Sequence, residues 1–505
     1  MTNSNSNSNA FKYKYNIGKT TQKEVRKSKK NVKTLLNNTK NKRIDNKIKS
    51  TSKKRYSIFA KNRKLSQLDN FPEEKTNKTN KTRKSKSNNK ITKYLDRIRS
   101  SRIKEYNKNR KPLDYLKMIC SDTGVCIAFG IETMRIRRFF DDFENFNHVA
   151  NMTNINPGSV NGNIYEIKYE LDNYVAYAIL KNSQNIHSDN VIYEYLVGLF
   201  INTKHMIYPC FLETYEMYTS NGISLNTITD LKQMIPYKNI HYNPIDLVCN
   251  TQNEFTLLIQ HIKDATTLYE CLHRIDTSFY EFEIFFVLFQ IYHTLSELKD
   301  QFTHYDLHYE NVLLYEPVNG SYIQYNYEIK GKKINFKSKY IVKIIDYGKC
   351  FFKNTKNKTS SMDVRNYICS IPNCNCGKTI GFNSITDDTD FCIYNDICSY
   401  KNNISHDLRL LSMLNKFAVN EALRNITQKV IYAGVYGTPE ITTSGLGLPD
   451  KKIHNIIDAF SVILETITAI PEIIQKNNDY YQNSTLLGNL YVYGGNTKTL
   501  FTKVK

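Results

Sequence analysis

Along the 505 residues the spacing of apolar side chains changes character several times, and each change predicts an element. Met1 to Lys111 is built from Asn, Ser, Thr and Lys, as in "MTNSNSNSNA" and "NKTNKTRKSKSNNK". Its few apolar positions bury too little surface to offset the entropy of ordering it, so a mostly disordered arm is expected. Within it, "ITKYLDRIRSSRIKEY" sets Ile91, Leu95, Ile98 and Arg102 near one side of a short basic amphipathic helix. At Pro112 the chain turns apolar and aromatic, and the folded part is expected to start there. "NPGSVNGNIYEIKYELDNYVAYAILKN" reads as two β-like runs, with Gly158 and Gly162 ahead of the first. In "DNVIYEYLVGLFIN" the spacing of Ile192, Tyr195, Leu196 and Leu199 is helical, and "FTLLIQHI" is a further strand. Ile284, Leu288, Ile291, Leu295 and Leu298 recur every three or four residues and predict a buried helix. "VLLYE" and "YIVKIIDYG" read as strands on either side of "PVNGSYIQYNYEIKGKKINFKSK", a polar insertion expected to form an exposed hairpin. Strands dominate first and helices later, which predicts an α+β chain of two lobes. The expected division is an arm over 1–111, an extension and first lobe over 112–262, and a second lobe over 263–505.

Composition sharpens this division. With 40% hydrophobic residues the chain can bury a sizeable core. Met1 to Lys111 carries 35 Lys/Arg against 7 Asp/Glu, and the remainder 35 against 41, so the arm supplies all of the excess positive charge. Such an arm attracts nucleic acid or an acidic surface, and equally serves as a solvated tail or a localisation signal, with "KSKK" and "KKR" as its basic clusters. No apolar run reaches the roughly 18 residues of a spanning helix. A polar amino terminus without an apolar signal core predicts an intracellular protein, and its eleven cysteines are then expected to be reduced.

The stretch "THYDLHYENVLLYE" concentrates the candidate chemistry. An aspartate held on a loop by a preceding histidine, Asp306 after His304, can orient a hydroxyl and accept its proton. An asparagine five places on, Asn311, offers an amide oxygen to a divalent cation. Asp346 in "IIDYG" supplies a second oxygen ligand on a turn freed by Gly348. Lys181 closes the apolar run "VAYAILK" as a cation for phosphates, and Glu194 on the next helix is the anion that would fix it.

These groups, in this order, resemble the signature set of the protein-kinase superfamily over Asn156 to about Asp458. "AILK" is similar to the "VAIK" strand, "HYDLHYEN" to "HRDLxxxN", and "DYG" to "DFG". The resemblance implies a bilobal fold that binds ATP and Mg²⁺. It makes Asp306 the catalytic base, Lys181 and Glu194 the phosphate-positioning pair, and Asn311 and Asp346 the metal ligands. It also implies Ile259 as gatekeeper and Gln260 to Ile262 as the hinge. Ser159, Gly162, Ile164 and Ala178 are the further nucleotide contacts, with Ser159 and Gly162 standing in an incomplete glycine-rich loop. Residue usage rich in Asn, Lys, Ile and Tyr without Trp, and phrases such as "ICSDTGVCIAFG", "PCFLETYEMY" and "SHDLRLL", are similar to serine/threonine-protein kinases of mimivirus-like giant DNA viruses. That implies a protein hydroxyl as acceptor and residence in the host cytoplasm or the virion.

Several positions depart from the pattern. Tyr305 stands where many kinases carry Arg, which argues against control by activation-loop phosphorylation. His308 stands where Lys is usual in serine/threonine kinases; the same histidine occurs in small-molecule kinases, so that substrate class stays open beside a catalytically inactive scaffold. "GTPEI" is the nearest approach to an "APE" motif. The aspartate anchoring the catalytic loop is Asp407 in "DLRLL" or Asp458 in "IIDAF", with Asp407 preferred on spacing. Cys369, Cys374, Cys376, Cys392 and Cys398, near His406, have gaps too irregular for a paired zinc site and read as reduced, partly buried thiols.

Overall fold

The computed structural model describes residues 119–120, 125–130, 132–155, 163–182, 190–219, 225–237, 255–274, 276–355, 359–368, 397–432 and 452–503, all within the compact unit Ile58–Lys505. The whole arm 1–111, with the amphipathic segment from Ile91, lies outside the described residues, as does the glycine-rich stretch 156–162.

The fold is α+β. A six-stranded antiparallel sheet comes first, made of β1 (Val149–Asn154), β2 (Asn163–Leu171), β3 (Tyr174–Asn182), β4 (Thr214–Thr219), β5 (Ile235–Pro236) and β6 (Phe255–His261), in the order β1-β2-β3-β6-β4-β5. The β2–β3 hairpin closes through Asp172 and Asn173, both at positive φ (49° and 66°). This two-residue geometry matches the strand twist, and Asn and Asp tolerate it better than bulkier side chains. Period-two alternation divides the two faces of β3. Ala178 and Leu180 point into a cluster with Tyr165, Ile167, Phe140 and Phe143, whereas Ile179 points into the main core, on the side that carries Lys181. The helix α1 (Glu132–Phe139) leads into Phe140 and Phe143, which cap the first cluster; Phe143 stacks on Tyr215 at 4.0 Å between centroids.

Across the Lys181 face lies α2 (Asn190–Ile201). Its Gly198 allows a close approach to β4, because a Cβ there would stand 2.0 Å from Thr214 Oγ1 and 2.6 Å from Thr214 Cβ. The centre of the second half is α3 (Ile284–Glu297), buried from Ile284 through Leu295. Two short strands, β7 (Val312–Tyr315) and, later in the chain, Ile341–Ile344, pair antiparallel beside it with Val312 opposite Ile344.

The insertion between them differs from the exposed hairpin the sequence predicts. It is a hairpin, β8 (Ser321–Ile329) and β9 (Lys332–Ser338), turning at Lys330 and Gly331, both at positive φ. One face of it is core: Tyr325, Tyr327 and Phe336 are buried, and Phe336 stacks on Phe286 at 4.4 Å. Alternation along "SYIQYNYEI" puts an apolar or aromatic residue at every second place, so a polar composition hides a buried face. The hairpin is extended by β11 (Thr485–Val492), parallel to β8, and by β12 (Leu500–Lys503), the strand Ile341–Ile344 being β10. Near β12 the chain reaches back to the first half. Thr499 donates its N–H to Met206 O at 2.8 Å and its hydroxyl to Ile207 O at 2.7 Å, and Phe501 meets Phe129 at 5.8 Å.

Among the described residues, no helix is long and apolar enough to cross a membrane. The expectation of reduced thiols throughout is corrected at Cys126 and Cys398, which are disulfide-bonded. Cys210, Cys271 and Cys350 are free and buried.

Candidate active site

Four strand and helix ends bring the polar groups together. Lys181, near the end of β3, donates to Glu194 Oε1 on α2 at 2.7 Å and lies 3.5 Å from Asp346 Oδ1. Burial works against the charge on Lys181, but the two carboxylates outweigh it and its pKa is raised. Asp346 follows β10 in the left-handed region (φ 68°), a conformation that costs a non-glycine residue on the order of 1 kcal/mol and is typical of functional turns. The Lys181 ammonium beside it, ahead of the opposing effect of burial, holds its carboxyl below the usual range.

The loop His304–Asn311 runs between Phe302–Thr303, which pairs with Phe351 and Phe352, and β7. Asp407 anchors it. Its Oδ2 accepts the N–H of His304 at 2.8 Å and its Oδ1 that of Tyr305 at 2.9 Å. This carboxyl is buried (1% exposed), and burial pushes it up to about 7 against those two hydrogen bonds. Asp458 instead accepts the N–H of His454 at 3.2 Å, at the start of the helix Ile456–Ala469. His304 Nε2 donates to Ile345 O at 2.9 Å, tying the loop to the residue before Asp346; burial holds its pKa down. Asn311 closes the loop. Its Nδ2 donates to Asp306 O at 2.9 Å and its carbonyl accepts from Ile345 N at 3.0 Å, so Asn311 and Asp346 come from adjoining strand ends.

Asp306 is nearly buried, and two cations hold its carboxylate. Lys349 Nζ lies 2.7 Å from Oδ2 and Arg409 Nη1 2.7 Å from Oδ1. Burial raises the carboxyl's pKa, but the Lys349 contact, with smaller effects from His304 and His308, outweighs it and the net direction is downward. Sequence reasoning missed both cations. Lys349 directly follows "DYG", and Arg409 stands two places after Asp407, the signals that could have found them.

The other sequence-predicted positions fall as follows. Ile164 pairs directly with Lys181 across the β2–β3 register and shares its face. Ile259 pairs with Ile179 on the same face. Ala178 points to the face opposite Lys181, because one residue along a strand reverses the side chain, and Ile179 shares the Lys181 face. Gln260 binds within the fold, its N–H donating to Glu213 O at 2.8 Å and its Oε1 accepting Glu213 N at 3.3 Å. Ile262 is buried and its carbonyl accepts from Ala265 N at 3.4 Å. Ser159 and Gly162 lie outside the described residues. Tyr305 is structural, at φ 65° with its hydroxyl on Lys401 O at 2.8 Å. His308 Nε2 lies 3.9 Å from Asp306 Oδ1, and burial lowers its pKa.

Cys369, Cys374, Cys376 and Cys392 lie outside the described residues. Among those described, no group of three or more His, Cys, Asp or Glu is arranged to hold a metal ion.

No family model matches the chain, and no curated protein matches it. Among solved structures, 794 chains match. One is a crystal structure described as a kinase domain, 17% identical with a TM-score of 0.23; the match covers 43% of this chain and 57% of that one. The chain thus spans little more than half the length of that kinase domain.

Proposed function

We propose that this chain is an ATP-dependent phosphotransferase of bilobal, protein-kinase-like build that transfers the γ-phosphoryl group to a protein serine or threonine hydroxyl. The observation that carries the reading is the contact of Lys181 with both Glu194 and Asp346, at 2.7 and 3.5 Å, beside a loop whose two ends offer Asp306 and Asn311. A lysine held between two carboxylates is pre-set to meet an anion, and stays charged while doing so. The donor set fits Mg²⁺: Asp346 presents a half-exposed carboxylate (47%), and Asn311, its amide nitrogen already engaged, keeps an amide oxygen as its remaining donor. Gly348 keeps space beside them, since the atom nearest a Cβ there is Asp346 Oδ1 at 3.7 Å. Bound Mg²⁺ would neutralise phosphate charge. In this reading Lys181 binds the phosphates, Asn311 and Asp346 hold the cation, and Asp306 orients the acceptor hydroxyl and takes its proton.

Purified protein incubated with Mg²⁺ and γ-labelled ATP should label itself or a generic basic protein, and Asp306→Asn should abolish the signal. Nucleotide binding without labelling would favour a second reading, a kinase-fold scaffold. A specific observation speaks for it: both carboxylate oxygens of Asp306 are engaged by cations. Labelling of sugars or amino alcohols in place of protein would move the acceptor to a small molecule.

A further inference from the structure

The side chain of Tyr193 precedes Glu194 on α2 and is fully buried. Its hydroxyl lies 2.5 Å from the carbonyl oxygen of Cys350, 2.7 Å from Ser361 Oγ and 3.3 Å from the carbonyl oxygen of Ser399. Ser361 Oγ accepts the N–H of Phe352 at 2.8 Å, and Ser399 Oγ donates to Lys349 O at 2.6 Å. With its single proton on Cys350 O and its oxygen able to accept from Ser361 Oγ, the phenol joins α2 to the stretch following Asp346 and to Ser361, the carbonyl of Ser399 lying alongside.

The neighbours on either side give this junction its consequence. Next to Tyr193 is Glu194, which holds Lys181. Next to Cys350 is Lys349, which holds Asp306. A hydrogen bond tolerates only a few tenths of an ångström of lengthening before it weakens steeply. Displacing α2 from Cys350 would therefore disturb the phosphate side and the acceptor side of the site together.

We propose that the Tyr193 hydroxyl is a positioning group that couples the two sides of the site, keeping the Lys181–Glu194 and Lys349–Asp306 contacts in register without an added phosphate. The inference rests on the phosphotransfer reading for its kinetic consequence and on the hydrogen bonds alone for the coupling. The plainer account is a buried tyrosine whose hydroxyl is merely satisfied. Tyr195, on the same helix, provides that comparison: it is also buried, and its hydroxyl donates to Glu216 Oε1 at 3.2 Å, on the sheet.

The test uses full-length wild type, Tyr193→Phe and Tyr195→Phe. Hydrogen exchange of the nucleotide-free proteins should show residues 190–201 and 349–354 speeding up together, by about tenfold, in Tyr193→Phe, and 349–354 unchanged in Tyr195→Phe. At saturating Mg²⁺-ATP, kcat should fall about tenfold in Tyr193→Phe, with a raised KM for ATP, and stay within about twofold in Tyr195→Phe. Unchanged exchange at 349–354 in Tyr193→Phe, or equal kinetic losses in the two variants, would overturn the proposal. Should Tyr193→Phe fail to fold, Ser361→Ala removes a partner of the same phenol and is expected to move exchange and kcat in the same direction. A wild type that transfers no phosphoryl group defeats the phosphotransfer reading, while the exchange experiment still decides the coupling.

Discussion

Arg409 Nη1 lies 2.7 Å from Asp306 Oδ1, reached from a backbone position only two residues past Asp407, whose carboxylate binds the N–H groups of His304 and Tyr305. One short segment thus fixes both the backbone of the loop and the side chain at its centre. Replacing Arg409 by Ala leaves Lys349 as the cation in close contact with Asp306, with His308 at 3.9 Å, and frees the carboxylate to turn. Phosphotransfer should drop by about ten- to a hundredfold, the span expected for losing a charge-assisted hydrogen bond. Arg409→Lys should recover part of the loss, since it restores charge without the planar fork. Steady-state assays of the two variants at equal folded concentration check this.

Asp407 and Asp458 make a second comparison. Both are aspartates at apolar helical stretches, but one takes the N–H groups of His304 and Tyr305 in a buried site and the other takes that of His454 near a helix start. Asp407→Asn can offer only one oxygen, so an amide NH₂ must face a backbone donor. Unfolding free energy should fall by about 1–3 kcal/mol, whereas Asp458→Asn should change it by less than about 1 kcal/mol. Urea denaturation of the two variants separates them; equal losses would remove Asp407 as the anchor.

That pair also marks what the sequence could and could not disclose. Lys181, Glu194, Asp306, Asn311 and Asp346 stand at strand ends, on a helix and on a loop whose periodicities are local, so their positions could be read from neighbouring residues. Ala178 could not be oriented by composition alone, because adjacent residues in "YVAYAILK" are nearly all apolar and either face could have been inward. The same ambiguity, with the sign reversed, hid the buried face of β8 and β9 behind Asn, Gln, Lys and Glu. Lys349 and Arg409 reach Asp306 across 43 and 103 residues of sequence: their places beside "DYG" and Asp407 mark them as candidates, but only the fold pairs them with that carboxylate.

Glu283 leads to a pH dependence outside the site. It is fully buried, accepts hydrogen bonds from Ser338 Oγ at 2.7 Å and from the hydroxyl of Tyr481, and burial pushes its carboxyl from an ordinary 4.5 up to about 7. The folded state therefore keeps a proton that the unfolded chain releases. Stability from this group is fully present below about pH 4.5 and is lost as pH rises to about 7, at up to about 1.4 kcal/mol per pH unit. Glu283→Gln keeps a neutral side chain at every pH, and its amide can donate to Ser338 Oγ while that hydroxyl donates to Tyr340 O. Denaturation from pH 5 to 8 should show the variant gaining on wild type and levelling off above pH 7, by about 2–4 kcal/mol in all. A constant difference across the range would mean the carboxyl ionises normally.

Gly198 links packing to the site. A methyl group there would meet Thr214 Oγ1 at 2.0 Å and Thr214 Cγ2 at 2.9 Å, distances no side-chain rotation of an alanine can relieve. Because Thr214 begins β4 and is fully buried, the helix must yield by moving away from the sheet. Glu194 lies one turn earlier on the same helix, so its 2.7 Å contact with Lys181 would lengthen with that movement. Gly198→Ala, despite its gain in helix propensity, should lower unfolding free energy by about 1–3 kcal/mol and weaken Mg²⁺-ATP binding by several-fold. Adding Thr214→Ala removes the clashing Oγ1 and Cγ2 atoms and should recover part of both losses, since the two substitutions share one contact and are not additive. Denaturation and nucleotide titration of the two single variants and the double variant test it: recovery of stability without recovery of binding would show that the Lys181–Glu194 contact does not depend on how closely α2 sits against β4.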